Sequence, residues 1–140
     1  GMFEVWAASM CWFTLGAMMF FGAVIAPTVF KSLSTQDAGV FLRRLFPRLY
    51  LFCGVTTGLA TILLAVSGKW LLMVIIGVAC ALFFYCRGPL TTSINDARDR
   101  ELAGALDAKN VFDRLHKRSV RIFGVQAVAL VGVSVFLHML

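Results

Sequence analysis

The sequence predicts an all-α membrane protein built as a bundle of four transmembrane helices. Of its 140 residues, 60% are hydrophobic and only 14% are charged, whereas soluble domains carry about 45–50% apolar and about 25% charged residues. The apolar residues form four long runs, predicted as spans over residues 3–26, 49–67, 70–86 and 122–140. At 1.5 Å per residue, such runs match a hydrocarbon core of about 30 Å. We treat residues 1–140 as one integral membrane domain.

A polar connection joins the first two spans. Pro27 is expected to end the first helix, because the residue before a proline disfavours helical backbone angles. Residues 38–46 place apolar side chains among arginines, which predicts a short helix lying in the membrane interface. Pro47 suits the first turn of the second membrane helix, where a proline loses no hydrogen bond.

The other two connections differ in length. Ser67-Gly68-Lys69 predicts a tight turn, so that the second and third spans form an antiparallel hairpin. After Pro89, the run Ser93-Ile94-Asn95-Asp96 predicts a capped start of a short helix. A further helix is expected to begin near Asp107 and to continue without a break into the fourth span, several turns beyond the membrane.

Two patterns predict how the helices pack. Small residues recur along the second span at steps of four, three and four, which favours close helix contact: Gly54, Gly58, Thr61 and Ala65. In addition, Val40-Phe41-x-Arg43 is echoed by Val111-Phe112-x-Arg114, and Pro27 by Pro89. We therefore hypothesise two repeated helix–loop–helix units related by an axis along the membrane normal.

The basic residues predict the orientation in the membrane. The first long connection holds four of them and the last long connection eight, so 12 of the 13 Lys and Arg residues lie there and only Lys69 lies elsewhere. The positive-inside rule then puts both long connections in the cytoplasm and both termini outside, with the protein in the cell inner membrane. Cations at the bilayer edge are expected to contact anionic lipid headgroups: Arg43, Arg44, Arg48, Arg114, Lys117, Arg118 and Arg121. Because topology accounts for this charge, nucleic-acid binding is not predicted.

Short motifs at the helix ends resemble one known family. They are Ala26-Pro27-x-x-Phe30-x-x-Leu33, Ala38-Gly39 and Phe46-Pro47-x-x-Tyr50 in the first half, and Pro89, Ile94-Asn95-Asp96-x-Arg98 and Phe112-x-x-Leu115-His116-x-x-Ser119 in the second. In this order, and over nearly the whole chain, they resemble the transmembrane protein 205-like family. The resemblance implies a small bacterial four-helix membrane protein without an agreed activity. A more distant likeness, to four-helix families linked to copper resistance and haem biosynthesis, carries over only His116 as a ligand.

The chain offers few groups for chemistry. It has two histidines and no glycine loop or hydrolase motif, and we predict no catalytic residues and no enzyme. Haem b or copper held by His116 is an alternative, although His116 and His138 lie about 33 Å apart along one helix and cannot grip the same haem. Cys11 and Met18 share a helical face that would suit Cu(I), but we favour plain core packing and free thiols.

The remaining signal is a polar stripe at the start of the fourth span. His116, Ser119 and Gln126 follow one another at helical spacing, and Gln126 is expected to face other helices, with Thr56, Thr57 or Thr61 as its partner. One interpretation is a single interhelical hydrogen bond, with His116 pairing locally with Asp113 or Asp96. The other is a polar pocket open to the cytoplasm, whose candidate residues are His116, Ser119, Gln126, Pro27, Phe30, Asp96 and Arg98.

These observations predict a small non-enzymatic protein with a binding or transport-associated role. The rival hypotheses are a haem or copper protein using His116 and a structural subunit of a larger membrane assembly. A homo-oligomer is compatible with either.

Overall fold

A computed structural model describes residues 1–140, which form four long helices and no strand. Helix α1 spans Met2–Ser32, α2 spans Thr35–Val66, α3 spans Trp70–Leu102 and α4 spans Ala108–His138. Each is long and apolar enough to cross a membrane. The predicted all-α bundle of four transmembrane helices is therefore confirmed.

The helices pack as a ring in chain order. Each contacts the next one along the chain, and α4 returns to contact α1. The interior is filled by large apolar side chains that are almost fully buried, namely Met18, Leu64, Ile76, Phe83 and Leu130. Small residues of α2 lie against α3, because a methyl group built on Gly54 or Gly58 would meet Phe84 or Cys80. This contact agrees with the predicted close packing of the small-residue stripe.

The prediction that prolines bound the helices is wrong. Helix α1 continues through Pro27 by way of a π-helical turn over Phe21–Ile25, and α3 continues through Pro89 by a second π turn over Cys86–Leu90. A proline lacks the N–H of an α-helical bond and its ring presses on the preceding turn. Widening that turn to a π turn relieves the crowding without ending the helix. Pro47 lies inside α2 rather than at its start.

The two short helices expected outside the membrane are also wrong as separate elements. Residues 38–46 belong to α2, which begins at Thr35 after Ser34 caps it by accepting a hydrogen bond from the Asp37 amide at 3.1 Å. The run Ser93–Asp96 lies within α3, so it starts no helix. Burial against neighbouring helices continues past the apolar spans and holds both segments in line with them.

The turn between α2 and α3 and the start of α4 agree with the sequence-based predictions. The hairpin turn at Ser67–Lys69 places Gly68 at φ +73°, a left-handed conformation that glycine adopts without a steric cost. Helix α4 begins after Asp107 and runs unbroken to His138. Its first 14 residues precede the apolar span and cover about 21 Å.

The helices therefore have two distinct ends. All four are 31 to 33 residues long, or about 47–50 Å, and all exceed the hydrocarbon core in the same direction. We call residues 27–48 and 87–121 the charged end, because they hold 12 of the 13 basic residues. The opposite end, with the Ser67–Lys69 turn and both chain termini, is the turn end.

The two halves of the chain follow the same plan. Each has a helix with one π turn, then a short connection, then a helix without a π turn. The contacts of α1 with α2 and of α3 with α4 are those that a two-fold axis would relate. The repeat stays a prediction, which superposition of α1–α2 on α3–α4 would test.

Candidate functional site

The polar stripe on α4 is divided between exposed and buried positions. His116 is exposed, and its ring stacks on Phe112 with 6.0 Å between ring centres and an interplanar angle of 3°. The Ser119 hydroxyl donates to the backbone carbonyl of His116 at 2.7 Å. Ser119 thus bonds to its own helix, and His116 forms no hydrogen bond with Asp113 or Asp96, contrary to expectation.

Gln126 is the buried member of the stripe, with only 1% of its surface exposed. Its Nε2 donates to the carbonyl of Ala79 on α3 at 3.1 Å, and its Oε1 has no partner. The expected bond to a threonine of α2 is wrong. Thr56 instead shares a hydrogen bond of 2.5 Å with Thr14 of α1, because the ring order puts α2 diagonally across from α4.

Arg98 and Asp96 lie on the charged end of α3. The Arg98 guanidinium pairs with Glu101 at 2.7 Å, and its carbon lies 3.8 Å from the centre of the Phe112 ring. A cation over an aromatic face is an attractive contact. Phe112 therefore joins Arg98 of α3 to His116 of α4, whereas Asp96 is exposed and forms no ion pair.

Pro27 and Phe30 lie on the outer surface of the charged end of α1. Phe30 is 65% exposed, and only Val29 of this segment is buried. Of the seven candidate pocket residues, the structure thus brings together Arg98 and His116 through Phe112. Gln126 lies about 15 Å further along α4 than His116.

An ion pair joins the two halves of the charged end. Arg43 of α2 contacts Asp99 of α3 at 2.5 Å and also donates to the carbonyl of Asn95 at 3.3 Å. The hydrogen bond from Arg43 holds the pKa of Asp99 below its ordinary value of 3.8. Nearby, the Arg87 side chain donates to the carbonyl of Pro47 at 3.2 Å. These bonds cross-link α2 and α3 beyond their apolar spans.

The other predicted headgroup cations are exposed, and two of them bond locally. Arg48 donates to the carbonyl of Arg44 at 2.7 Å, and Arg118 donates to the Tyr85 hydroxyl at 3.2 Å. Arg44 is exposed as well. The last three cations line a shallow hollow of about 320 Å³ on α4, together with Asn110 and Asp113: Arg114, Lys117 and Arg121.

Asp113 is partly neutralised by a neighbour on the same helix. Lys109 pairs with it at 2.8 Å, four residues away. This hydrogen bond lowers the pKa of Asp113 and raises the pKa of Lys109. The three cations of the hollow form no ion pair, which leaves a net positive face on α4.

Potential metal ligands are dispersed. His138 accepts a hydrogen bond of 3.0 Å from the Trp12 indole at the turn end, far from His116. All four cysteines are free, and Cys11 and Met18 are buried in the core. Nowhere do three His, Cys, Asp or Glu side chains lie close enough to hold a metal ion.

Sequence reasoning missed one further feature, which we call the turn-end groove. It is a cavity of about 530 Å³ between α3 and α4, lined mainly by apolar residues and bounded by Lys69 and Trp70. The only hint in the sequence is that Lys69 is the single basic residue outside the long connections. The contacts from Arg43 to Asp99 and from Trp12 to His138 were also missed, since they join residues far apart in the chain.

Comparison with known proteins identifies a family. The model of the family described as "Domain of unknown function (DUF4149)" matches residues 10–100. The match begins inside α1 and ends inside α3, so the candidate residues of α4 lie outside it. No curated protein and no solved structure matches the chain.

Proposed function

Starting from the fact that the chain belongs to the DUF4149 family, we propose that it is a non-enzymatic membrane protein that docks a partner protein at its charged end. One observation carries this proposal. All four helices continue past their apolar spans in the same direction. At the tip of the charged end, the connection from α3 to α4, two leucines are exposed where water is expected. The role combines the predicted binding function with that of a subunit in a membrane assembly.

The geometry of the tip supports a partner that is a protein. Leu102 and Leu106, in and after the last turn of α3, are 76% and 89% exposed. Leu102 lies 16 residues beyond the apolar span that ends near Cys86, or about 24 Å. The headgroup layer is only about 5–8 Å deep on each side of the bilayer. The two leucines therefore lie beyond the lipids, where exposed apolar groups favour a protein contact.

The rigidity of the charged end supports the same role. The bonds from Arg43 to Asp99 and from Arg87 to Pro47 tie α2 to α3, and Arg98 on Phe112 ties α3 to α4. A surface fixed in advance loses little entropy when a partner binds. The interior between the apolar spans is filled by large buried side chains and leaves no path for a solute. This favours a binding role over transport.

Membrane type and orientation are part of the proposal. From the excess of cations, we propose that the charged end lies in the cytoplasm of a bacterial cell and the turn end outside the inner membrane. Cations nearest the bilayer, such as Arg48, Arg118 and Arg121, then contact anionic headgroups. We also propose that the chain is similar to the transmembrane protein 205-like family, because its helix-end motifs resemble those of that family. His116 has no second ligand nearby, so we do not favour the haem or copper alternative.

The docking role is tested at the tip. Leu102→Ser/Leu106→Ser is expected to lose a protein that co-purifies with the wild type at fixed stoichiometry from native membranes. Ala103→Ser/Ala105→Ser, in the same exposed segment, serves as the matched control and should keep it. Both variants should unfold like the wild type, because all four side chains are exposed. Equal recovery in the two variants, or no stoichiometric partner in the wild type, would contradict the proposal.

Orientation is tested by thiol labelling. An impermeant maleimide should label Ser67→Cys from outside the inner membrane, whereas Ala105→Cys should react only after the membrane is opened. The native cysteines are buried or half-buried and provide a low background. The reverse labelling pattern would overturn the positive-inside assignment.

A further inference from the structure

The turn-end groove lies opposite the charged end and plays no part in the proposed docking role. Its walls come from the first turns of α3 and the last turns of α4, including Ile75, Ala129 and Phe136. These side chains are apolar, so the groove offers no hydrogen-bond partners along its length. An occupant must therefore be apolar in the part that lies within the groove.

The border of the groove carries a cation that forms no ion pair. Lys69 lines it and forms no ion pair. Glu4 lies near enough to feel the charge of Lys69, but its carboxylate pairs with the N-terminal amine at 2.7 Å. Beside Lys69, the Trp70 indole is largely exposed, as is usual for tryptophan at headgroup depth. The border therefore suits an anionic group located at the membrane surface.

One wall of the groove is open because of a glycine. No atom lies within 4 Å of the position that a Cβ of Gly132 would occupy. A larger residue at this position would fill part of the cavity without a clash. Gly124, two turns earlier on α4, is equally open but does not line the groove.

We propose that the turn-end groove binds one anionic phospholipid of the leaflet at that end. One acyl chain lies between α3 and α4 against Ile75, Ala129 and Phe136. The phosphate lies at the Lys69 ammonium, which forms no ion pair within the protein. Charge complementarity at Lys69, together with an apolar groove that opens towards the lipid, selects this occupant over a protein.

Native mass spectrometry of protein released from nanodiscs tests the proposal. The discs contain equal amounts of phosphatidylglycerol and phosphatidylcholine with identical acyl chains. The wild type should retain one phosphatidylglycerol. Lys69→Gln should lower the ratio of retained phosphatidylglycerol to phosphatidylcholine at least fivefold. Gly132→Leu should abolish retention of either lipid, because its side chain occupies the groove.

Gly124→Leu is the matched control, since it adds the same side chain to the same helix outside the groove. It should retain lipid as the wild type does. Lys69→Gln changes a surface residue and keeps the test informative if Gly132→Leu fails to fold. Equal retention of both lipids by the wild type, or undiminished retention by Gly132→Leu, would overturn the proposal.

Discussion

At the scale of single residues, Gln126 is buried with only one of its two polar side-chain atoms hydrogen-bonded. Its Nε2 bonds to Ala79, while its Oε1 is buried without a partner. An interhelical hydrogen bond in a membrane contributes about 0.6–2 kcal/mol. An unpaired buried acceptor costs about 1–3 kcal/mol. The cost of the unpaired Oε1 is therefore slightly larger than the stabilisation from the hydrogen bond to Ala79.

Gln126→Leu is therefore expected to raise the free energy of unfolding by about 1 kcal/mol, because it removes the unpaired acceptor and keeps the volume. Unfolding in mixed detergent micelles measures the change. Leu130→Ala, one turn later and fully buried, should cost about 2–5 kcal/mol and proves that the assay detects core damage. A loss of stability in Gln126→Leu would mean that the hydrogen bond to Ala79 outweighs the cost of the unpaired Oε1.

A second residue-scale prediction concerns Asp99, whose pKa is lowered by Arg43. Since the folded pKa lies below the unfolded one, the stabilising contribution exists above about pH 4. It is lost as the pH falls through the folded pKa. In Arg43→Gln, the pKa of Asp99 should rise towards 3.8.

Carboxyl ¹³C NMR titration measures this shift. Asp113 lies on α4, where Lys109 of the same helix lowers its pKa. It provides an internal control and should titrate alike in both proteins. An unchanged Asp99 titration in Arg43→Gln would disprove the link between α2 and α3.

The candidate site was only partly predictable. An amide inside a lipid-facing helix must turn inwards, so the burial of Gln126 followed from its position in the fourth span. Its partner did not follow, because the order of helices around the ring decides whether α2 or α3 faces it. Likewise, Arg98 reaches Phe112 only because α3 extends far enough beside α4.

At the scale of helices, the contact between α2 and α3 depends on a glycine. A methyl group on Gly54 would lie 2.8 Å from ring carbons of Phe84. One on Gly58, a turn later, would lie at an ordinary 3.6 Å from the Cys80 sulfur. The two positions share a helix and a face, but only the first has no room for a side chain.

Gly54→Ala is expected to lower the free energy of unfolding by about 1–3 kcal/mol, since the Phe84 ring must move. Gly58→Ala should be neutral or raise it by up to about 1 kcal/mol, because alanine is favoured over glycine in a helix. The same micelle assay compares them. Equal effects at both positions would show that Phe84 yields freely.

The helix boundaries were the least predictable part of the fold. The apolar content of the spans revealed the four helices, but the prolines suggested ends that do not exist. A proline restricts the backbone angles of its immediate neighbours. Burial of apolar side chains, in contrast, stabilises the helix along its whole length. The sequence does contain a correcting signal around Pro89. Apolar residues continue through it at steps of three and four: Ile76, Ala79, Phe83, Cys86, Leu90, Ile94 and Ala97.

At the scale of the whole molecule, the bundle consists of two hairpins joined by one tight turn. The contacts of α2 with α3 and of α4 with α1 hold the hairpins together. Membrane helices are stable individually before they pack. The Ser67–Lys69 turn should therefore be dispensable for assembly.

Two co-expressed fragments, divided between Gly68 and Lys69, are expected to assemble into the native bundle. Purification through a tag on one fragment should recover the other in equal amount. Gly54→Leu in the divided protein should reduce recovery strongly, because it obstructs the contact with Phe84. If the wild-type fragments fail to associate, then the turn itself directs folding.

The short connections have a consequence for how the protein meets different bilayers. Only Leu33 and Ser34 join α1 to α2, and three residues join α2 to α3. Sliding one helix past the next by a turn requires about 5.4 Å of slack, which these links do not supply. When hydrocarbon thickness changes, α1, α2 and α3 should therefore tilt together and should not slide past one another. In a thinner bilayer the tip of the charged end would therefore swing sideways as one body.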